Sequence, residues 1–278
     1  ARAAVRNREA EGILLLSEGF ARQAIAGRGG AGVGLWLNGT YLLRAESIGA
    51  GLVETVTDAI DDWRGARGGV MRRASEQPIL VHPLFNTTGG YRDYIFPAVA
   101  NIILQQTLLL AAARLFAERR RRRDPALAPA AALGMWAACT LIGVLAGFFY
   151  FGFVYWVQDI PHGGNIPALF IAIPLFAGAV AALGLWLGSF FANGDDALKV
   201  LMPTSVPLVF LAGFAWPLSA MPEWLAALSW LSPATCAMHL FVPLNQMGAS
   251  LAEVRGPLVM LALLLLGYGA GFVWRARR

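Results

Sequence analysis

The chain has 278 residues, 57% of them hydrophobic and only 14% charged, with a mean hydropathy of +0.57; that is far too apolar for a soluble globular domain throughout. Its net charge of +5 could suggest nucleic acid, yet Arg114 and Arg119 to Arg123 cluster between apolar runs and Arg275, Arg277 and Arg278 close the sequence. We read both clusters as topology signals and membrane-lipid headgroup contacts, with no nucleic-acid partner.

The opening residues, ARAAVRNREAEG, are neither a signal peptide nor a membrane anchor, and no Met precedes them. Residues 1–93 hold 11 Arg and 10 acidic residues, whereas residues 94–278 hold 11 basic and 7 acidic, so residues 1–93 read as a small α/β domain. The run Ile13–Leu16 predicts a strand, with Ser17 and Glu18 starting a helix; Val33–Leu37 predicts a second strand ending in the turn Asn38-Gly39. Ile48, Leu52, Val56 and Ile60 recur every four residues, with Trp63 close by. That spacing makes one amphipathic helix, whose apolar face suits the domain core better than a partner. Ile79–Val81 reads as a third short strand.

Residues 94–278 read as a transmembrane helical bundle. Five apolar runs, at about 94–116, 131–157, 166–192, 197–218 and 257–274, approach or exceed the roughly 20 residues a helix needs to cross a hydrocarbon core. Connecting segments alternate sides, so Arg119–Arg123, Asn193–Asp196 and the terminal RARR share one side, and the arginine excess makes it the cytoplasm. The N-terminal domain, the loop Gln158–Asn165 and the segment Ser219–Gly256 then lie outside. An external N-terminal domain calls for a sixth span upstream of Ala1. Cys139 and Cys236 have no CxxC spacing and point to neither a disulfide nor a metal.

The external segment is too apolar for a free loop and too rich in proline for a span. Pro217, Pro222, Pro233 and Pro243 alternate with Trp216, Trp224 and Trp230. Two short interfacial or re-entrant helices, Glu223–Leu231 and Thr235–Leu244, are expected over about 219–248, satisfying their backbone groups against the protein body. Trp216, Met221, Pro222, Trp224 and Trp230 would anchor this cap over the external end of the spans.

Five stretches together resemble the permease subunit of type-2 ATP-binding-cassette (ABC-2) exporters, in the branch with a large external domain between the first two spans. They are EGILLLSEGFARQAIAGR (Glu11–Arg28), HPLFNTTGGYRDYIFPA (His82–Ala98), LQQTLLL (Leu104–Leu110), FLAGFAWPLSAMPEW (Phe210–Trp224) and NQMGASLAEVR (Asn245–Arg255). Two departures stand out: Asn86-Thr87 where relatives tend to have Asn-Pro, and AERRRRRDPALAP in place of a Gly-Thr-containing coupling segment. The resemblance implies a bacterial inner-membrane exporter in which two permeases, copies or paralogues, form the pathway and separate cytoplasmic ATPases bind ATP and Mg. A haemolysin-D-like periplasmic adaptor often accompanies this branch. The sequence itself lacks a GxxxxGK[ST] phosphate loop, and its only lysine is Lys199.

Glu118 and Arg119, Arg120, Arg121, Arg122 and Arg123, with Asp124, are candidates for docking on an ATPase, or for headgroup anchoring alone. Asp195 and Asp196 suit a helix start. Asn101, Gln105 and Gln106, with Thr107, are costly in lipid, so they line a pathway or bond between helices. The glycine pairs Gly143/Gly147, Gly184/Gly188 and Gly267/Gly271 suit close packing within the chain. Pro203 and Pro207 loosen the run 197–218. His82, His162 and His239 lack ligand spacing, and Asp159 with His162 reads as a polar interfacial loop. A membrane-embedded transferase and a structural membrane adaptor are the alternative functions; the first would need converging ionisable groups that the spans lack. Apolar spans with a few amides suit an amphipathic or lipid-like solute.

Overall fold

The computed structural model describes residues 4–5, 10, 12–18, 33–38, 42–65, 79–85, 91–122, 126–214, 216 and 218–277. The chain divides into two compact units, residues 1–94 and 95–278.

In the first unit, β1 (Gly12–Leu16), β2 (Val33–Asn38) and β3 (Ile79–Leu84) form a sheet in that order. β1 pairs antiparallel with β2 and β2 parallel with β3, with Leu14 opposite Leu35 and Leu35 opposite Val81. Helix α1 (Leu42–Gly65) lays Ile48, Leu52, Val53 and Val56 against buried Leu35 and Leu37 of β2, so the four-residue repeat does mark a core face. The strands sit where the apolar runs predict. Ser17 and Glu18 are not themselves helical, and the helix expected after them and the turn at Gly39 lie outside the described residues.

The second unit is mostly helical, and its long apolar helices make the chain a multi-pass membrane protein. Among the described residues, four helices are long and apolar enough to cross a bilayer: α2 (Tyr91–Arg121), apolar from Ile95; α3 (Pro129–Phe148), continued to Val157; α4 (Ile166–Gly188); and α9 (Arg255–Ala276). A fifth crossing is possible if α7 (Glu223–Ser229) and α8 (Pro233–Asn245), bent by 81° from each other, count as one. The run 197–218, expected as a single span, is instead divided. It comprises α5 (Gly194–Leu201), a 3₁₀ turn Met202–Thr204 and α6 (Ser205–Leu211). Pro203 and Pro207 supply no N–H to a helical ladder, which accounts for the break.

Glycine sets how closely these helices approach. A Cβ on Gly184 would lie 2.7 Å from the Leu109 carbonyl oxygen of α2, and one on Gly188 would collide with the Ala113 carbonyl, so α2 and α4 run in parallel at backbone contact. Gly143 and Gly147 of α3 meet Ala177 and Ile173 of α4 in antiparallel order. These pairs therefore serve packing within the chain, the main source of cohesion where lipid removes the hydrophobic drive. Gly271 meets Trp186, but a Cβ on Gly267 would find nothing within 4 Å. At Phe149–Val154 the α3 ladder widens into a π-helix before a last turn, Tyr155–Val157.

Replacing Gly188 by Leu should therefore lower the unfolding temperature in detergent sharply, an overpacking cost of about 1–3 kcal/mol or more. Gly267→Leu should leave it unchanged, and equal effects of the two would contradict this packing.

Candidate functional site

The amides of α2 meet an elbow. Gln105 is the eleventh residue of the apolar part of α2, about 15 Å along it at 1.5 Å per residue, and therefore deep within a membrane span. Its Oε1 accepts from the Ala234 N–H at 2.5 Å and from the Ser232 hydroxyl at 3.3 Å, while its Nε2 lies 3.2 Å from the same hydroxyl. Ser232 is the residue before α8, and its side chain makes no cap of its own helix. An amide from another helix thus caps α8, supplying the acceptor that free N–H groups at a buried helix start require.

Asn101 donates to the Pro97 carbonyl at 2.8 Å and approaches the Met238 sulfur at 4.0 Å. Gln106, on another side of α2, donates to the Thr204 hydroxyl at 3.2 Å. All three amides are buried, and within one chain they reach the elbow, α8 and the broken segment. Thr107 turns its hydroxyl back to the Ile103 carbonyl at 2.8 Å.

A second side chain holds the elbow from the far wall. The Tyr268 hydroxyl of α9 donates to the Leu231 carbonyl at 2.5 Å, and its ring stacks on Trp186 at 5.7 Å. Trp230 meets the His239 ring edge-on at 5.0 Å. Of the expected cap anchors, Trp216, Trp224 and Pro222 are exposed while Met221 and Trp230 are half-buried. Every residue of α8 is buried, which fits the re-entrant alternative for this segment rather than the interfacial one. Pro233 at its first turn starts it earlier than Thr235, as suits a residue with preset φ and no N–H to lose. At its end, Gly164 N–H donates to the Asn245 carbonyl and Asn165 N–H to that of Leu244, both at 3.1 Å. The Asn165 side chain accepts from Ala168 and donates to the Ala249 carbonyl at 2.9 Å, tying loop 158–165 to the turn before α9. There Ser250 and Glu253 form a reciprocal capping pair. His162 contacts the Ile160 carbonyl at 2.8 Å.

At the other end of the bundle the carboxyl termini of α2, α4 and α9 converge. Arg119 to Arg121, expected in a loop, form the last turn of α2. The i,i+3 bond from Arg121 Nε to Glu118 at 2.8 Å and the Arg122 contact at 3.8 Å extend the helix, and cations favour its negative end. Arg120 donates to the Ser189 carbonyl. Arg275 of α9 reaches the same residue, bonding its carbonyl at 2.9 Å and its hydroxyl at 3.1 Å, and lies over the Phe190 ring at 4.7 Å. Leu127 N–H donates to the Ala276 carbonyl at 2.8 Å. Asn193 caps α5 by accepting from Asp196 N–H at 2.8 Å, and Arg114 lies 3.7 Å from Asp195, so the two aspartates do open a helix. Arg123 and Asp124 fall outside the described residues. The roles of Ser189, Ser232, Tyr268 and Arg275 carry no signal in the sequence, since their partners lie far away along the chain.

A family model described as ABC-2 family transporter protein matches residues 1–274. A probable multidrug ABC transporter permease of Escherichia coli strain K12, YbhR, is 24% identical over 78 residues, which is 28% of this chain and 21% of that protein. The protein of the same description in Escherichia coli O157:H7 gives the same values. The matched part is thus about a fifth of those relatives. No solved structure matches the chain.

Substituting Gln105 by Leu should destabilise the bundle by about 1–3 kcal/mol, the cost of leaving buried donors without an acceptor. Gln105→Glu, which keeps an acceptor, should cost less. In a thermal-unfolding double-mutant cycle, Ser232→Ala should add little once Gln105 is Leu; additive losses would mean that the two do not interact.

Proposed function

Because the chain belongs to the ABC-2 transporter family, we propose that it is the permease subunit of an ATP-driven exporter in a bacterial inner membrane. The match over residues 1–274 carries this reading. Two such subunits, identical or paralogous, form the pathway. Separate cytoplasmic ATPases bind ATP and Mg and supply the driving energy, and a periplasmic adaptor extends the route. The arginine end is the cytoplasmic one, because lysine and arginine gather on that side of membrane proteins; residues 1–93 and the loop 158–165 are then periplasmic, with one further span upstream.

In this scheme Glu118 and Arg119 to Arg123 take up the motion of the ATPases. What supports the described part of this cluster is position: Glu118 and Arg119 to Arg121 end the same helix that carries Gln105, so a displacement of α2 reaches the elbow without passing through a flexible joint. Asn101, Gln105 and Gln106 border the route, and the segment with Trp216, Met221, Pro222, Trp224 and Trp230 covers the exit. The cargo class we favour is amphipathic and drug-like, given spans whose polarity is a few amides. A membrane-embedded transferase is less well supported, since such chemistry would need ionisable groups converging at one depth.

Purified with its neighbours from the native host, the permease should bring an ATPase with it. Glutamine at Arg119 to Arg123 should lower the ATPase activity of that complex by about tenfold, a coupling free energy of ordinary size. Failure of any ATPase to co-purify, or indifference of its activity to these replacements, would sink the proposal.

A further inference from the structure

An apolar cleft of about 120 Å³ lies between α2, α3 and α4, walled by Leu104, Leu108, Ala111, Ile142, Ala146 and Phe176. Thr107, also on the wall, has spent its hydroxyl on the Ile103 carbonyl, so nothing there calls for a polar guest. Ile142, Leu141 and Leu145 beside it are largely exposed within a span, which makes the outside of the cleft a lipid-facing surface. Along α2, Ala111, exposed Leu115, Glu118 and Arg122 follow at three- and four-residue steps and so share one stripe. Arg121 ends that helix about 15 Å beyond Ala111 at 1.5 Å per residue, the depth of one leaflet of a core about 30 Å thick. Glu118 is a single carboxylate in contact with both Arg121 and Arg122, so positive charge is left over at two exposed side chains.

The geometry points to a site for an anionic phospholipid of the arginine-end leaflet, its phosphate on Arg121 and Arg122 and the end of one acyl tail in the cleft. A cationic head position and an apolar slot, in line on one exposed stripe and one leaflet apart, match the two ends of a single lipid. A free phosphate would have no use for the cleft, and a helix of a second copy would have none for the charges. The site shares Arg121 and Arg122 with the proposed coupling cluster, but it rests on the cleft and the charge beside it and not on the transport reading.

The test uses the full chain in detergent, with phosphatidylglycerol, phosphatidylcholine or inorganic phosphate added, and native mass spectrometry as the readout. One phosphatidylglycerol should bind at least about tenfold more tightly than phosphatidylcholine. Arg121→Gln with Arg122→Gln should abolish that preference. Ala111→Phe, which fills the cleft, should weaken binding of both lipids while the chain keeps its unfolding temperature; Ala146→Leu fills the cleft from α3 should the first variant fail to fold. Equal binding of the two lipids, lipid binding untouched by both cleft variants, or displacement of phosphatidylglycerol by phosphate alone would overturn the proposal. So would a dimer that loses its partner, rather than a lipid, on filling the cleft.

Discussion

A helix that begins inside a hydrocarbon slab has backbone donors that water cannot reach, and α8 is such a helix. The rest of the bundle is arranged around that obligation. Gln105 answers it from α2, Tyr268 takes the carbonyl just before it from α9, and the loop before α4 accepts the task at the far end through Gly164 and Asn165. Each answer comes from a different element. The buried helix therefore acts as a keystone whose removal would strand polar groups in several neighbours at once, and such backbone is tolerated only where protein buries it or a water-filled cavity meets it.

The opposite end solves a related problem with charge. Three helices finish there with outward-pointing carbonyls, and the Ser189 carbonyl after α4 receives guanidinium donors from both α2 and α9. Arginine suits the position because its planar head can bond a carbonyl, a hydroxyl and an aromatic face together, as Arg275 does. Part of the cationic cluster is thereby structural. Arg121 and Arg122 differ from Arg120 and Arg275 in that they pair with a carboxylate on their own helix, which leaves them available at the surface.

Sequence patterns spoke clearly wherever the physics is local. Run length identified four crossing helices, the spacing of Ile48, Leu52 and Val56 identified a core face, and small residues four apart marked tight contacts at Gly184 and Gly188. Run length misled at 197–218, where hydropathy is insensitive to the two prolines that divide the helix. For α8 the proline-rich composition left an interfacial and a re-entrant reading open, and burial of the whole element favours the second. What stayed hidden were pairs separated by many residues: nothing around Gln105 names Ser232, and nothing around Ser189 names Arg275. Those contacts depend on how the helices are stacked, a property of the assembled bundle.

The π-helical stretch in α3 settles a matter of angular register. Cys139, Gly143, Gly147, Phe151 and Tyr155 are all buried, at a strict interval of four residues. On a regular helix of 3.6 residues per turn that interval drifts by about 40° at each step, which would carry the later members round toward the lipid. A wider turn, with bonds from i to i+5, winds the stripe back, so Phe151 can pack at a tilt against Phe241 and Tyr155 can meet Phe96 edge-on. The bulge works as a vernier, letting a four-residue sequence rhythm keep one face on a straight wall.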